Sequence, residues 1–172
     1  MFRECSALPS ATFHDNDSTC YDNKVRELDI RGIVHYEFVP TGQTANQVYY
    51  LEVVKRLREK VRRKRLELFA SDSWILHHDN ATAHTALSVR EFLATKQITM
   101  LEHPAYSPDL APDDFLLFPK INEILKERHF DDTDDIRSNT TAALKAIQQN
   151  QFQNCFEGWT RRWHRCIASH GE

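Results

Sequence analysis

The chain has 172 residues, enough for one domain with a sizeable core. With 41% hydrophobic and 27% charged residues it falls outside the disordered and fibrous classes, and no run approaches the ~18 apolar residues that a membrane span requires. The net charge of −3 hides a segregated pattern: residues 55–65 read KRLREKVRRKR, with eight basic residues and one acidic, whereas residues 131–135 read DDTDD.

In chain order, residues 1–28 are polar and aperiodic, so a poorly ordered N-terminal segment is expected there, followed by one domain over 29–172. The N-terminus lacks a basic-then-apolar signal pattern, which makes an intracellular protein the expectation. None of Cys5, Cys20, Cys155 and Cys166 forms a CxxC pair, so no zinc ribbon or thioredoxin-like site is expected, and Cys155 and Cys166 are expected as buried free thiols rather than a disulfide. Arg31-Gly32 reads as a turn and residues 33–39 as a strand closed by Pro40 and Gly42. Thr44 and Gln47 have capping-box spacing before a long helix over 46–68, with Tyr50, Val54, Leu57, Val61 and Leu68 on one stripe. A short apolar strand at 74–78 ends at Asp79. A helix follows over 84–96, with Leu87, Phe92 and Leu93 facing inward, then a strand over 98–101. HPAYSPDLAPDD is a proline-broken loop. Helices are expected over 115–128, from Asp132 or Thr133 to 149, and over 151–168, the last carrying Phe152, Phe156, Trp159 and Trp163. Strands alternating with helices imply an α/β sandwich with a partly parallel sheet.

The stretch WILHHDNATAHTAL concentrates chemistry at a strand tip. Asp79 should sit at the C-terminal end of its strand, the edge where open α/β sheets bind ligands. A carboxylate held by a rigid strand suits a metal ion, although Asp79 or Asn80 as a helix cap accounts for the same residues. Asp114 follows after 34 intervening residues, behind the proline loop and at the start of a helix.

With HHDNATAH, HPAYSPDLAPDDFLLFP and RWHRCIASHGE, the sequence resembles the catalytic domain of mariner-type transposases, a group that includes the transposase-derived half of a histone methyltransferase–transposase fusion. The resemblance runs from about residue 29 to the end. It implies an RNase H-like fold, a mixed sheet flanked by helices, and three carboxylates holding two divalent ions, Mg2+ or Mn2+. The implied reaction is DNA cleavage and strand transfer by in-line displacement, with the two metals roughly 3.5–4 Å apart. Hard cations of this kind favour carboxylate oxygen over the flanking histidines. Carried over by position, Asp79 matches the second carboxylate and Asp114 the third, both catalytic and metal-binding. Asn80 and His84 match supporting positions behind them, with a helix cap and a surface histidine as the competing readings.

The chain also departs from the family. Asp29 matches a non-catalytic position, and among residues 1–28 neither Glu4 nor Asp15, Asp17 or Asp22 lies in a credible apolar strand. NKVREL would make a poor central strand, so the first strand and most of the second are expected to be missing, and the first carboxylate with them. Asp113, beside Asp114, could raise its neighbour's pKa or compete for a metal. The expected function is therefore a transposase-derived nucleic-acid-binding domain with impaired catalysis. A non-enzymatic DNA-binding or protein-interaction remnant of a transposon is the alternative. DNA is the expected partner, through Lys55, Arg56, Arg58, Arg62, Arg63 and Arg65, although a solvated helix face gives the same run. A homodimer is admitted, no membrane contact is expected, and the nucleus is the expected location. Trp159 and Trp163 suit core packing, while Arg161, Arg162 and Arg165 can meet phosphate from the outer face of their helix.

Overall fold

The computed structural model describes residues 4–8, 24–40, 43–78, 80–104, 107–126 and 129–169. The chain divides into two compact units, one made of Met1–Asp29 and Ile33–His103, the other of Ile30–Gly32 and Pro104–Glu172.

A five-stranded mixed sheet organises the first unit. Strands β1 (Glu4–Leu8), β2 (Lys24–Asp29), β3 (Gly32–Phe38), β4 (Ile75–His78) and β5 (Thr99–Leu101) stand in the order β3-β2-β1-β4-β5. β2 is antiparallel to β1, with Ser6 opposite Leu28. On its other side β1 pairs in parallel with β4, Glu4 opposite Ile75 and Ala7 opposite His78. β5 continues the parallel part beside β4. β2 turns into β3 over Ile30 and Arg31, and Gly32 takes a φ of 123°, which the absence of a Cβ permits.

This sheet corrects the expectation that the first strand and most of the second are missing. Residues 4–8 form β1, and β1 is the middle strand of five. ECSAL is too short and mixed to show a period; backbone pairing on both edges supplies what the side-chain pattern withholds. The remainder of the segment expected to be poorly ordered, residues 1–3 and 9–23, lies outside the described residues. β2 is likewise an inner strand despite its charges. Leu28, Glu27 and Asp29 are all buried, and Arg65 donates to both oxygens of Asp29 at 2.5 and 3.0 Å. A buried carboxylate is tolerable when an arginine and hydrogen bonds compensate for its lost hydration.

Helix α1 (Gln47–Lys64) lays Tyr50, Val53, Val54, Leu57 and Val61 inward, and most of this stripe joins Val34 of β3 and Leu76 of β4 in one apolar cluster. Its cap is Asn46, whose side-chain oxygen accepts from the Tyr49 N–H at 3.0 Å, not the capping box at Thr44 and Gln47. The single helix expected over 46–68 is broken at Arg65, whose backbone leaves helical geometry where its side chain grips Asp29, and α2 (Leu66–Ala70) follows. Arg56 of α1 donates to both oxygens of Glu37 on β3 at 2.6 and 2.7 Å, and His35 shares that carboxylate. Helix α3 (Leu87–Thr95) starts later than expected and buries Val89 and Leu93; Leu87 is 71% exposed and does not face inward.

The second unit is helical. A 3₁₀ turn (Pro108–Leu110) and a π-helical turn (Asp113–Leu117) precede α4 (Phe118–Leu125), α5 (Thr133–Ala146) and α6 (Gln149–Ala168). The expected helix over 115–128 is thus divided. Pro119 lacks an N–H and sits in the first turn of α4, and the wider π turn precedes it. Asp132 caps α5 by accepting from the Asp135 N–H at 2.8 Å. On α6, Phe152, Cys155, Phe156 and Trp159 are buried, and Trp159 meets Phe156 and Trp163 edge-to-face. Cys155 and Cys166 are free thiols. Burial, with the Asp113 carboxylate adding to it, pushes the Cys155 thiol up to about 12, which keeps it protonated and inert.

Two outcomes follow. Leu76 is fully buried, so Leu76→Ala should destabilise the chain by about 2–5 kcal/mol in a denaturant titration. Burial holds the His35 pKa below the ordinary 6.5 despite Glu37. The unfolded chain therefore takes up this proton first, and the contribution of His35, complete above pH 6.5, is lost as pH falls through the lowered folded-state value. His35→Gln should flatten that part of the stability–pH curve.

Candidate functional site

β4 ends at His78, and Asp79, the next residue, lies outside the described residues. Tyr50 of α1 and His78 Nδ1 are hydrogen-bonded at 2.9 Å, and His78 Nε2 faces the Met100 sulfur of β5. Sulfur only accepts here, so Nε2 carries the proton and Nδ1 accepts from the Tyr50 hydroxyl. His84 is 1% exposed, with its ring stacked 3.7 Å from Tyr50 and 5.1 Å from His78. It is therefore an interior residue and not a surface histidine. His77 is fully buried and meets His103 at 3.1 Å. Asn80 donates to the backbone carbonyl of His103 at 2.7 Å, tying the segment after β4 to the entrance of the proline loop. His78 and His84 thus build, with Tyr50, a stacked imidazole–phenol wedge. The contributions of Tyr50 and His103 were not read from the sequence, because they come from other elements.

In the second unit the two adjacent aspartates part company. Asp113 is 1% exposed, whereas Asp114 is exposed on the π-helical turn. The backbone N–H of Asp114 donates to the Ala111 carbonyl at 3.0 Å, so the carboxylate stands on a fixed turn. The side chain of Asp113 is thus buried while that of its neighbour reaches the surface.

Strand β1 carries one acidic residue, Glu4, which the register sets opposite Ile75. Ala7, not an acid, is opposite His78, and the three-residue offset from Glu4 is about 10 Å of strand. Asp15, Asp17 and Asp22 lie outside the described residues. The exposed carboxylate of Asp114 suits a hard divalent cation. Among the described residues, however, no group of three or more His, Cys, Asp or Glu side chains could hold a metal ion.

The basic face of α1 is heavily engaged. Lys55 pairs with Glu52 at 2.7 Å, Arg62 with Glu59 at 2.7 Å, and Arg58 with Glu59 at 3.6 Å, the last also lying over the Phe69 ring. Arg56 and Arg65 are committed to Glu37 and Asp29. Arg63 is exposed. Exposed pairs such as Lys55–Glu52 contribute little to stability and exchange partners readily. The two-pronged grips of Arg56 and Arg65 hold α1 to the sheet.

Replacing Tyr50 by Phe removes the hydroxyl that serves His78 inside the wedge. The expected cost is about 1–3 kcal/mol, measured by chemical denaturation, with a new His78 imidazole signal by NMR.

The segment 31–137 matches the family model described as DDE superfamily endonuclease. The chain is 33% identical over 145 residues to the mariner Mos1 transposase of Drosophila mauritiana, a match that covers 84% of this chain and 42% of that protein. It is 27% identical over 140 residues to the human histone-lysine N-methyltransferase SETMAR, covering 81% of this chain and 20% of that one. The chain thus spans less than half the length of these curated relatives. A solved structure of the Mos1 transposase catalytic domain with raltegravir and Mn superposes with a TM-score of 0.84 at 29% identity, covering 99% of this chain and 84% of that one. A Mos1 transposase paired-end complex with the left transposon end gives 0.81 at 26%, covering 99% and 56%. The sheet and helices are therefore those of an RNase H-like fold, and the chain belongs to the DDE superfamily endonucleases as a mariner-type transposase catalytic domain.

Proposed function

We propose that this chain is a nucleic-acid-binding domain of transposase descent in which the family reaction, metal-dependent DNA cleavage and strand transfer at transposon ends, is impaired. Descent is supported by the family match and by the paired-end complex of the similar Mos1 protein, which holds a transposon end. Impairment is supported by one observation, the register of β1: Ala7 stands opposite His78, and Glu4, the strand's acidic residue, stands opposite Ile75. In this reading Asp79 and Asp114 are the catalytic carboxylates and the ligands of Mg2+ or Mn2+, with Asn80 and His84 as the groups behind them. A bound divalent ion would supply Lewis-acid polarisation of a phosphoryl oxygen. DNA is the partner, met by cations that include Arg62 and Arg63 on the outer face of α1, where each neutralised phosphate releases counterions. A second copy of the chain forms the assembly, and the nucleus is its place of action.

The test is a pair of measurements on the whole chain. Binding to random duplex should weaken steeply with salt, and Arg62→Ala with Arg63→Ala should flatten the slope by about 1–2. With Mg2+ or Mn2+ and a pre-nicked transposon-end duplex, no cleavage or joined product should form under conditions in which the Mos1 transposase cuts its own ends. Product formation at stoichiometric chain sinks the impairment; absence of duplex binding at low salt sinks the nucleic-acid reading.

A further inference from the structure

The charges of α6 differ from those of α1. Arg162 and Arg165 lie in the last turns of a helix whose one acidic residue is Glu157. Among the described residues no carboxylate pairs with either guanidinium, whereas four of the α1 cations, and Arg65 just after them, are within ion-pair distance of an acid. Both arginines line an open groove of about 670 Å³ within the second unit, together with Ser107, Asp109, Leu110 and Ser169.

The groove has a built wall. Trp159 donates its indole N–H to the Leu110 carbonyl at 2.6 Å, and Arg162 donates to the Asp109 carbonyl at 2.9 Å, so the 3₁₀ turn is fastened to α6 at two points. The Arg162 guanidinium also lies 4.1 Å from the centre of the Phe115 ring, which fixes its plane. Phe115 immediately follows Asp114, so the groove borders the turn that presents the exposed carboxylate. Arg165 is exposed and directed to the same groove. The lining holds two guanidiniums and one carboxylate, that of Asp109. Planar guanidinium forks and hydroxyls are the groups that meet phosphodiester oxygens. The open side of the groove admits a continuous strand, which a closed pocket for a small anion would not.

We propose that the groove between the Pro108–Leu110 turn and the end of α6 holds the sugar–phosphate backbone of a nucleic acid, with Arg165 and Arg162 contacting phosphate beside the turn that carries Asp114. This inference rests on the nucleic-acid reading above and adds to the α1 contacts a second surface, whose guanidiniums no described carboxylate pairs with.

The experiment titrates the 172-residue chain into a labelled random-sequence duplex and follows anisotropy at several salt concentrations. Arg165→Glu should weaken binding roughly ten-fold at low salt and lower the salt slope by about 1. Arg165→Gln should fall between it and the unaltered chain. Lys145→Glu, an equal charge change on exposed α5 surface away from the groove, should shift affinity less than about three-fold. Circular dichroism and melting of each variant check that α6 is intact. An unaltered chain that fails to bind duplex overturns both readings. Binding that Arg165→Glu leaves unchanged, or that Lys145→Glu weakens equally, overturns the groove alone. Competition by inorganic phosphate or polyglutamate at the concentration where unlabelled duplex competes overturns the nucleic acid as occupant.

Discussion

Strand β4 is the constraint on which the first unit depends. It has only four residues, yet it is paired in parallel with β1 on one side and β5 on the other. Its Leu76 is fully buried in the cluster that α1 and α3 cover. A strand held on both edges and beneath a helix cannot slip by one residue without turning its buried side chains to the wrong face. That fixed register carries outward to His78, to the Tyr50 hydroxyl and to the stacked ring of His84. The end of β4 is thereby braced by groups from α1 and from the segment that precedes α3.

Electrostatics divides the cations by task. Arg65 and Arg56 neutralise Asp29 and Glu37 and so attach α1 to strands β2 and β3. The lost hydration is compensated within each pair, and removal of either arginine would strand a carboxylate in a poorly hydrated place. On α6, by contrast, the aromatic face is internal and the arginines are left to the groove. Density of basic residues in the sequence and availability of positive charge on the surface are thus separate quantities, since the first ignores the acids that folding brings near.

Much of the fold was legible. The stripe Tyr50, Val54, Leu57, Val61 needed only helical spacing, and the alternation of strands with helices indicated the layered α/β arrangement. The motif carrying Asp114 also identified its neighbourhood. Three features were not legible. β1 was hidden because five residues of mixed polarity show no period, and backbone pairing to strands distant in sequence is what makes them a strand. The inward turn of Asp113 and the outward turn of Asp114 depend on π-helical geometry before Pro119. Leu87 was read as core from its apolarity, although α3 begins there and points it to solvent.

By itself the sequence determined the periodic helices, the family motifs and the residue types able to bind a hard cation or a phosphate, because these are properties of spacing and of individual side chains. Tertiary structure alone decided that β1 exists and where its acidic residue stands, that His84 is internal, and which arginines keep their charge available. Each of these depends on which groups from distant parts of the chain share a place, and proximity of that kind is created by folding and is not written in any local stretch.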